Sequence, residues 1–463
     1  MSPAGDTDMG GRLLRSILLF SLHVNVLLAL DSHHAHTNVV VYIDGFAKWF
    51  LNRTNLRLTG FEEVRQNGYE ADYVLPEFPS VPATNYWSIF TGRYPNRHGL
   101  IGDMFWSATA NKLLEFDNAD SYDNNLAYLN RSEPIEPIWM TAKRKNVPTS
   151  MYYWRPCPDQ QMSKKAKESM VNCLAYDGGE DVELIVNKTS DIMHDINSLK
   201  KRLVLVGYPS IAASGRKYGA YTGHTTEKIE RISTFLQELQ NELTAYNRWN
   251  DVNLIVISGN GMATVPINNV YFIDDFLEME LVDKLVGNGA YMWIYAHPGM
   301  EHKVHQSLDD NTIPHCRLHW RRNFPERWHL KEASDAGELL LLCEQGYAIY
   351  SRNRQKQLPR MPVELTEDYF RKGEFGYDNG ASDMKGIFMA RGPDFPKGQR
   401  DKWIRATQIY PQLCRLIQLD CDLPAEHHSF HTRTAVGGSS QRIFSPLLVS
   451  AVILLTLCAS VDV

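Results

Sequence analysis

The chain of 463 residues has no basic excess: 48 lysines and arginines stand against 54 aspartates and glutamates, for a net charge of -6. Without a basic stripe there is nothing to neutralise a phosphate backbone, so nucleic acid is excluded as a partner. Cysteine is scarce, seven in all, and no two are spaced Cys-x-x-Cys, which removes the usual signature of a structural zinc site. No internal repeat is visible, and solenoids and propellers are excluded with it. Low-complexity linkers are missing too, apart from His431 to Ser440, which is poor enough in apolar residues to serve as a stalk. Long hydrophobic runs occur only at the two ends.

After Arg12 and Arg15 comes a mostly apolar stretch from Ser16 to Leu30, so residues 1–30 read as a secretory signal. A membrane anchor or buried helix is the alternative, although the run is short for a span. At the other end, Gly437, Gly438, Ser439 and Ser440 precede a short polar spacer and an apolar run from Ile443 to Val461. No basic cluster follows it. This is the pattern of a glycolipid-anchor signal, with 426–440 as stalk and attachment region and 443–463 as a tail to be removed; a single transmembrane helix is the alternative. Both ends point to the extracellular face of the plasma membrane. In that oxidising setting, and with Cys458 in the removed tail, Cys157, Cys173, Cys316, Cys343, Cys414 and Cys421 form an even set expected to pair in adjacent order. Asn52, Asn130 and Asn187 each sit in a glycosylation sequon.

Between the ends, short β-branched runs alternate with longer amphipathic stretches, the pattern of an α/β fold whose largely parallel sheet is covered by helices on both faces. Val39 to Ile43, Leu203 to Val206 and Leu254 to Ile257 are continuously apolar, as strands buried on both sides tend to be. Thr225 to Leu243 places Ile229, Ile232, Phe235, Leu236 and Leu239 on one helical face.

The first strand ends in Asp44 and Gly45, and ligands of open α/β sheets gather at the carboxyl ends of strands. Further along come Pro82 to Gly99, with Thr91-Gly92-Arg93-Tyr94-Pro95-Asn96-Arg97-His98-Gly99 at its end, then Glu136-Pro137-Ile138-Trp139, Trp154-Arg155-Pro156 and Gly215-Arg216-Lys217-Tyr218-Gly219. Ser258-Gly259-Asn260-Gly261-Met262, Asn323-Phe324-Pro325-Glu326-Arg327-Trp328-His329 and Gly376-Tyr377-Asp378-Asn379 complete the series. In this order and spacing, over residues 38–425, the chain resembles the ectonucleotide pyrophosphatase/phosphodiesterase family of the alkaline phosphatase superfamily. The anchored form and the Phe-Pro-Glu-Arg-Trp-His run look most like its choline-phosphodiesterase branch.

The resemblance implies an alkaline-phosphatase-like fold and phosphodiester hydrolysis by a threonine or serine nucleophile beside two zinc ions held by six carboxylate and imidazole ligands. Carried over residue by residue, only Asp44 matches a ligand. Ala212, Arg216, Gly259, Asn260 and Phe375 stand where the other five belong, and Pro82 stands at the nucleophile. Alanine, glycine and phenylalanine offer no lone pair and arginine stays protonated, so no catalytic residue and no zinc or other cofactor is expected. The phosphate-binding asparagine aligns with Asp103, whose charge would repel an anion. Ser80 and Thr84 are the hydroxyls closest to the nucleophile position in sequence. Arg216 is expected to bridge Asp44, Asp103 or both in place of metal charge. These readings make the chain a catalytically inactive cell-surface glycoprotein that binds a ligand or partner, such as a lipid headgroup, a choline-like cation or a protein. Trp87, Phe105, Trp106 and Phe375 are candidate aromatics for such a cleft. An active zinc phosphodiesterase with a reorganised site, of the glycerophosphocholine or nucleotide type, is the alternative, and a purely structural glycoprotein a third.

Overall fold

The computed structural model describes residues 36–116, 124–129, 135–154, 156, 171–175, 188–198, 201–360, 362 and 366–422. The expected signal, stalk and hydrophobic tail, together with Asn130, Asn187 and the Cys157–Cys173 pairing, lie outside the described residues and side chains.

Eight strands build the central sheet: β1 (Thr37–Ile43), β2 (Tyr69–Ala71), β3 (Thr149–Trp154), β4 (Val171–Ala175), β5 (Leu203–Tyr208), β6 (Val252–Ser258), β7 (Ile387–Arg391) and β8 (Gln399–Asp401). Their spatial order is β8-β2-β7-β6-β1-β5-β3-β4. Every neighbouring pair is parallel except the two made by β7, which runs antiparallel to β6 and β2. Val41 sits opposite Val206 on one side and Val256 on the other, so the three apolar runs identified in the sequence form the centre of the sheet. Successive strand residues point to opposite faces, and Val39, Val40 and Val41 are all fully buried. Both faces are therefore covered, which is why these runs show no alternation of polar residues.

The long helix α3 (Gly223–Ala245) buries the five residues its periodicity selected, Ile229, Ile232, Phe235, Leu236 and Leu239. Thr222 caps it, its hydroxyl accepting the Thr225 N–H. Two shorter helices matter for the site: α1 (Pro82–Thr91) and α2 (Ser210–Tyr218). Proline at the first position of α1 has a fixed φ that suits a helix and no N–H to leave unpaired, as the sequence leads one to expect.

A second sheet of five strands, in the order Cys316–Trp320, Leu339–Cys343, Tyr291–Ala296, Val282–Val286, Gln357–Leu358, has its own small core with Val304 and Leu308 of the helix Glu301–Asp310. Cys316 and Cys343 bond across the first two of these strands, and Cys414 bonds Cys421 after the last helix. Both pairs join cysteines adjacent in the expected order, and they fit an extracellular protein. Asn52, the sequon within the described residues, is exposed. Among the described residues no helix is long and apolar enough to cross a membrane.

Candidate ligand pocket

The carboxyl ends of β1, β5 and β6 meet the start of α1, and this junction is where an open α/β sheet leaves room for a ligand. A pocket of about 190 Å³ opens there, lined by Asp44 from the end of β1, Gly207, Tyr208 and Pro209 from the end of β5, Pro82, Ala83 and Tyr86 from α1, Ala212, Ala213 and Arg216 from α2, and Asp103. Five of the positions singled out in the sequence, Asp44, Pro82, Asp103, Ala212 and Arg216, are thus brought together.

Asp103 has two local partners that explain its position. Its Oδ1 accepts the Ala83 N–H at 3.3 Å, in the first turn of α1, where helix N–H groups lack internal acceptors and a negative charge is favoured. Its Oδ2 pairs with the Arg216 guanidinium. Arg216 also lies over the Phe375 ring, 4.8 Å from its centroid, so its cation is held between a carboxylate and an aromatic face. The expected bridging by Arg216 is made to Asp103; Asp44 feels Arg216 only through its charge. Asp44 Oδ1 is enclosed and has no hydrogen-bond partner among the described residues. Burial pushes the Asp44 carboxyl up to about 7, against the attraction of Arg216 and with the added repulsion of Asp103.

Gly259, Asn260 and Phe375 do not line this pocket. A Cβ added to Gly259 would meet Asn85 Cβ and Ile89 Cδ1, each at 2.9 Å, so the neighbouring helix has packed into the space a side chain would need. Asn260 is fully buried and its amide donates to the Gly261 carbonyl at 3.1 Å. Phe375 is buried behind Arg216 and lines a small adjoining cavity with Asp103 and Arg216. The two nearby hydroxyls are also elsewhere: Thr84 donates to the Leu100 carbonyl at 3.0 Å, and Ser80 is fully buried. Neither reaches the pocket.

The aromatic walls differ from the sequence expectation. Trp87 packs against Trp139, Phe105 stacks on Phe116, and Trp106 lies beneath Lys284, so none of the three lines the pocket. Tyr42, Tyr86, Phe116, Tyr153, Trp154 and Tyr208 do. Helical geometry could have separated Tyr86 from Trp87: Tyr86 lies four residues after Pro82 and shares its face, whereas Trp87 is turned about 100° further round. Tyr153 and Trp154 could not have been found that way. The pairing of β3 with β4 slips between Tyr152 and Trp154, and Tyr153 adopts φ of 53°, a left-handed conformation rare for a bulky residue. This bulge breaks the strict alternation and lets two consecutive side chains face one cavity. Gly207 of β5 accommodates it, since a Cβ there would lie 2.4 Å from the Tyr153 carbonyl oxygen.

The family model for type I phosphodiesterase/nucleotide pyrophosphatase matches residues 38–378, well over half of the chain. The chain belongs to this family. Among its relatives are ectonucleotide pyrophosphatase/phosphodiesterase 1 of Saccharomyces cerevisiae, 26% identical over 81% of this chain and 55% of the relative, and family member 7 of Rattus norvegicus, 23% identical over 82% and 83%. The chain thus spans about half the length of the yeast relative. Its fold is similar to murine ectonucleotide pyrophosphatase/phosphodiesterase 5, with a TM-score of 0.70 at 24% identity, covering 84% of this chain and 96% of the other.

Two zinc ions in a type I phosphodiesterase site would need about six nitrogen and oxygen donors between them. Here the six aligned positions hold one carboxylate, Asp44, beside an arginine already paired, a glycine whose side-chain space is filled, a turned-away asparagine, an alanine and a phenylalanine. Among the described residues no three of the histidine, cysteine, aspartate and glutamate side chains gather to hold a metal ion. The residues present do not fit a two-zinc centre.

Proposed function

We propose that this family member is catalytically silent and that its pocket serves as a binding site on a cell-surface glycoprotein held by a glycolipid anchor. The observation that carries the reading is at Gly259: the residue type has no donor atom, and the space a carboxylate would need is taken by Asn85 and Ile89. Placing a metal-binding side chain there would require Asn85 and Ile89 to shift as well as a change of residue. Pro82 supports the same reading, for it supplies neither a nucleophilic oxygen nor an N–H toward a phosphate. Asp103 adds to it, because its carboxylate already takes the helix N–H and the guanidinium that an anionic group would use.

The test is metal analysis of the purified protein together with turnover of a nitrophenyl phosphodiester. The expectation is less than one zinc per chain at micromolar free zinc, and no turnover that a chelator abolishes. Two bound zincs with chelator-sensitive hydrolysis would establish the active phosphodiesterase instead.

A further inference from the structure

Asp44 Oδ1 is an unsatisfied acceptor in the pocket lining, as Trp154 Nε1 is an unsatisfied donor there. A buried acceptor without a donor is costly, so a ligand that brings a donor to Asp44 Oδ1 removes that cost on binding. Arg216, the cation that faces it, is already shared between Asp103 and the Phe375 ring. Of the charged groups lining the cavity, two carboxylates oppose one guanidinium, so Asp44 has no cation of its own and a bound ammonium would stabilise its charged form. Six of the fifteen residues that line the cavity are aromatic, and aromatic faces attract cations. Size narrows the choice further. At about 190 Å³ the pocket is smaller than those that take drug-sized ligands, about 300–1,000 Å³, and larger than the cavity of about 150 Å³ that holds a benzene.

We propose that the pocket binds a small primary ammonium ion, the size of a one-ring arylalkylamine, which donates N–H to Asp44 Oδ1 and lays its apolar body against Tyr42, Tyr86 and Trp154. A quaternary ammonium of the same shape has no N–H and would leave the buried acceptor without a donor. An amino acid would bring a second carboxylate toward Asp103, whose guanidinium partner is already engaged. This inference rests on the site being catalytically silent, since zinc would occupy the same carboxylate.

Calorimetry and thermal shift on the full chain, purified from a secretory host, test it with phenethylamine, its N,N,N-trimethyl derivative and phenylalanine. Phenethylamine is expected to bind at least tenfold more tightly than either of the others. Asp44→Asn should lower its affinity at least tenfold in a protein that remains folded by circular dichroism. Tyr86→Leu, which keeps the carboxylate and removes one wall, should weaken binding roughly two- to fivefold. Equal binding of the trimethyl derivative, unchanged binding by Asp44→Asn, or no response to the amine at millimolar concentration would overturn the inference. Those results leave the silent-site reading intact, which falls separately if the same preparation hydrolyses a nitrophenyl phosphodiester with zinc.

Discussion

Two neighbouring regions at the ends of the central strands differ in how they are filled. Around Asp44, Ala212 and Arg216 the cavity is open, lined by an ion pair and aromatic side chains. Around Gly259 and Asn260 there is no such opening: side chains of α1 crowd Gly259, and the Asn260 amide donates to the Gly261 carbonyl. The difference teaches that removing a ligand does not by itself leave a hole. Space closes where an apolar neighbour can move in, and stays open where a charge must be kept solvated or paired.

The sharpest way to break this comparison is to put carboxylates back on each side. Gly259→Asp, forced against Asn85 and Ile89, is expected to cost about 3–5 kcal/mol in denaturant unfolding, through overpacking and a buried unpaired charge. Ala212→Asp, facing the open pocket, should cost roughly 1–2 kcal/mol. Equal costs would remove the distinction between the two regions.

Next in size is the ion pair. Arg216→Ala strands Asp103 beside Asp44 and should destabilise by about 2–4 kcal/mol, with the double variant Arg216→Ala/Asp103→Asn recovering at least half of the loss. No recovery would mean that Arg216 acts through its packing on Phe375 rather than through its charge.

The smallest effect concerns the closed region and pH. Asn85, which fills the space at Gly259, is tied to the backbone of Glu77: its carbonyl accepts the Glu77 N–H at 2.7 Å and its amide donates to the Glu77 carbonyl at 3.2 Å. Burial pushes the Glu77 carboxyl from the ordinary 4.5 up to about 7, although Arg405 and Thr407 oppose it. A proton is therefore held in the folded state and lost in the unfolded chain between these values. This contribution is largest below about pH 4.5 and disappears as pH rises through 7, a change on the order of 2–3 kcal/mol. Stability of the parent minus that of Glu77→Gln should fall by this amount from pH 4.5 to 7.5. A flat difference would show that Glu77 is ionised in the folded protein.

Much of the frame is legible in the residues because burial on both faces leaves an unbroken apolar run, as in Val39 to Ile43, and because one helical face carries Ile229 through Leu239. What Pro82, Ala212 and Gly259 cannot do is also legible, since a proline, an alanine and a glycine carry no side-chain donor atom. What packs around them is not. That Asn85 and Ile89 occupy the place of a missing side chain, that Asp103 tops a helix, and that a left-handed Tyr153 turns with Trp154 into the cavity all depend on contacts between segments far apart in the chain. The choice of Trp87, Phe105 and Trp106 as cleft aromatics fails on the same account, since proximity in sequence to Pro82 or Asp103 does not fix which way a ring points.

The packing at Gly259 also bears on which substitutions the chain tolerates. A single substitution that places a carboxylate there meets side chains of the neighbouring helix first, so it lowers stability before it can offer a donor to any metal. Asn85 or Ile89 would have to shrink beforehand, a change with no benefit of its own. The packing at Gly259 thus acts as a lock, holding the position to the one residue without a side chain.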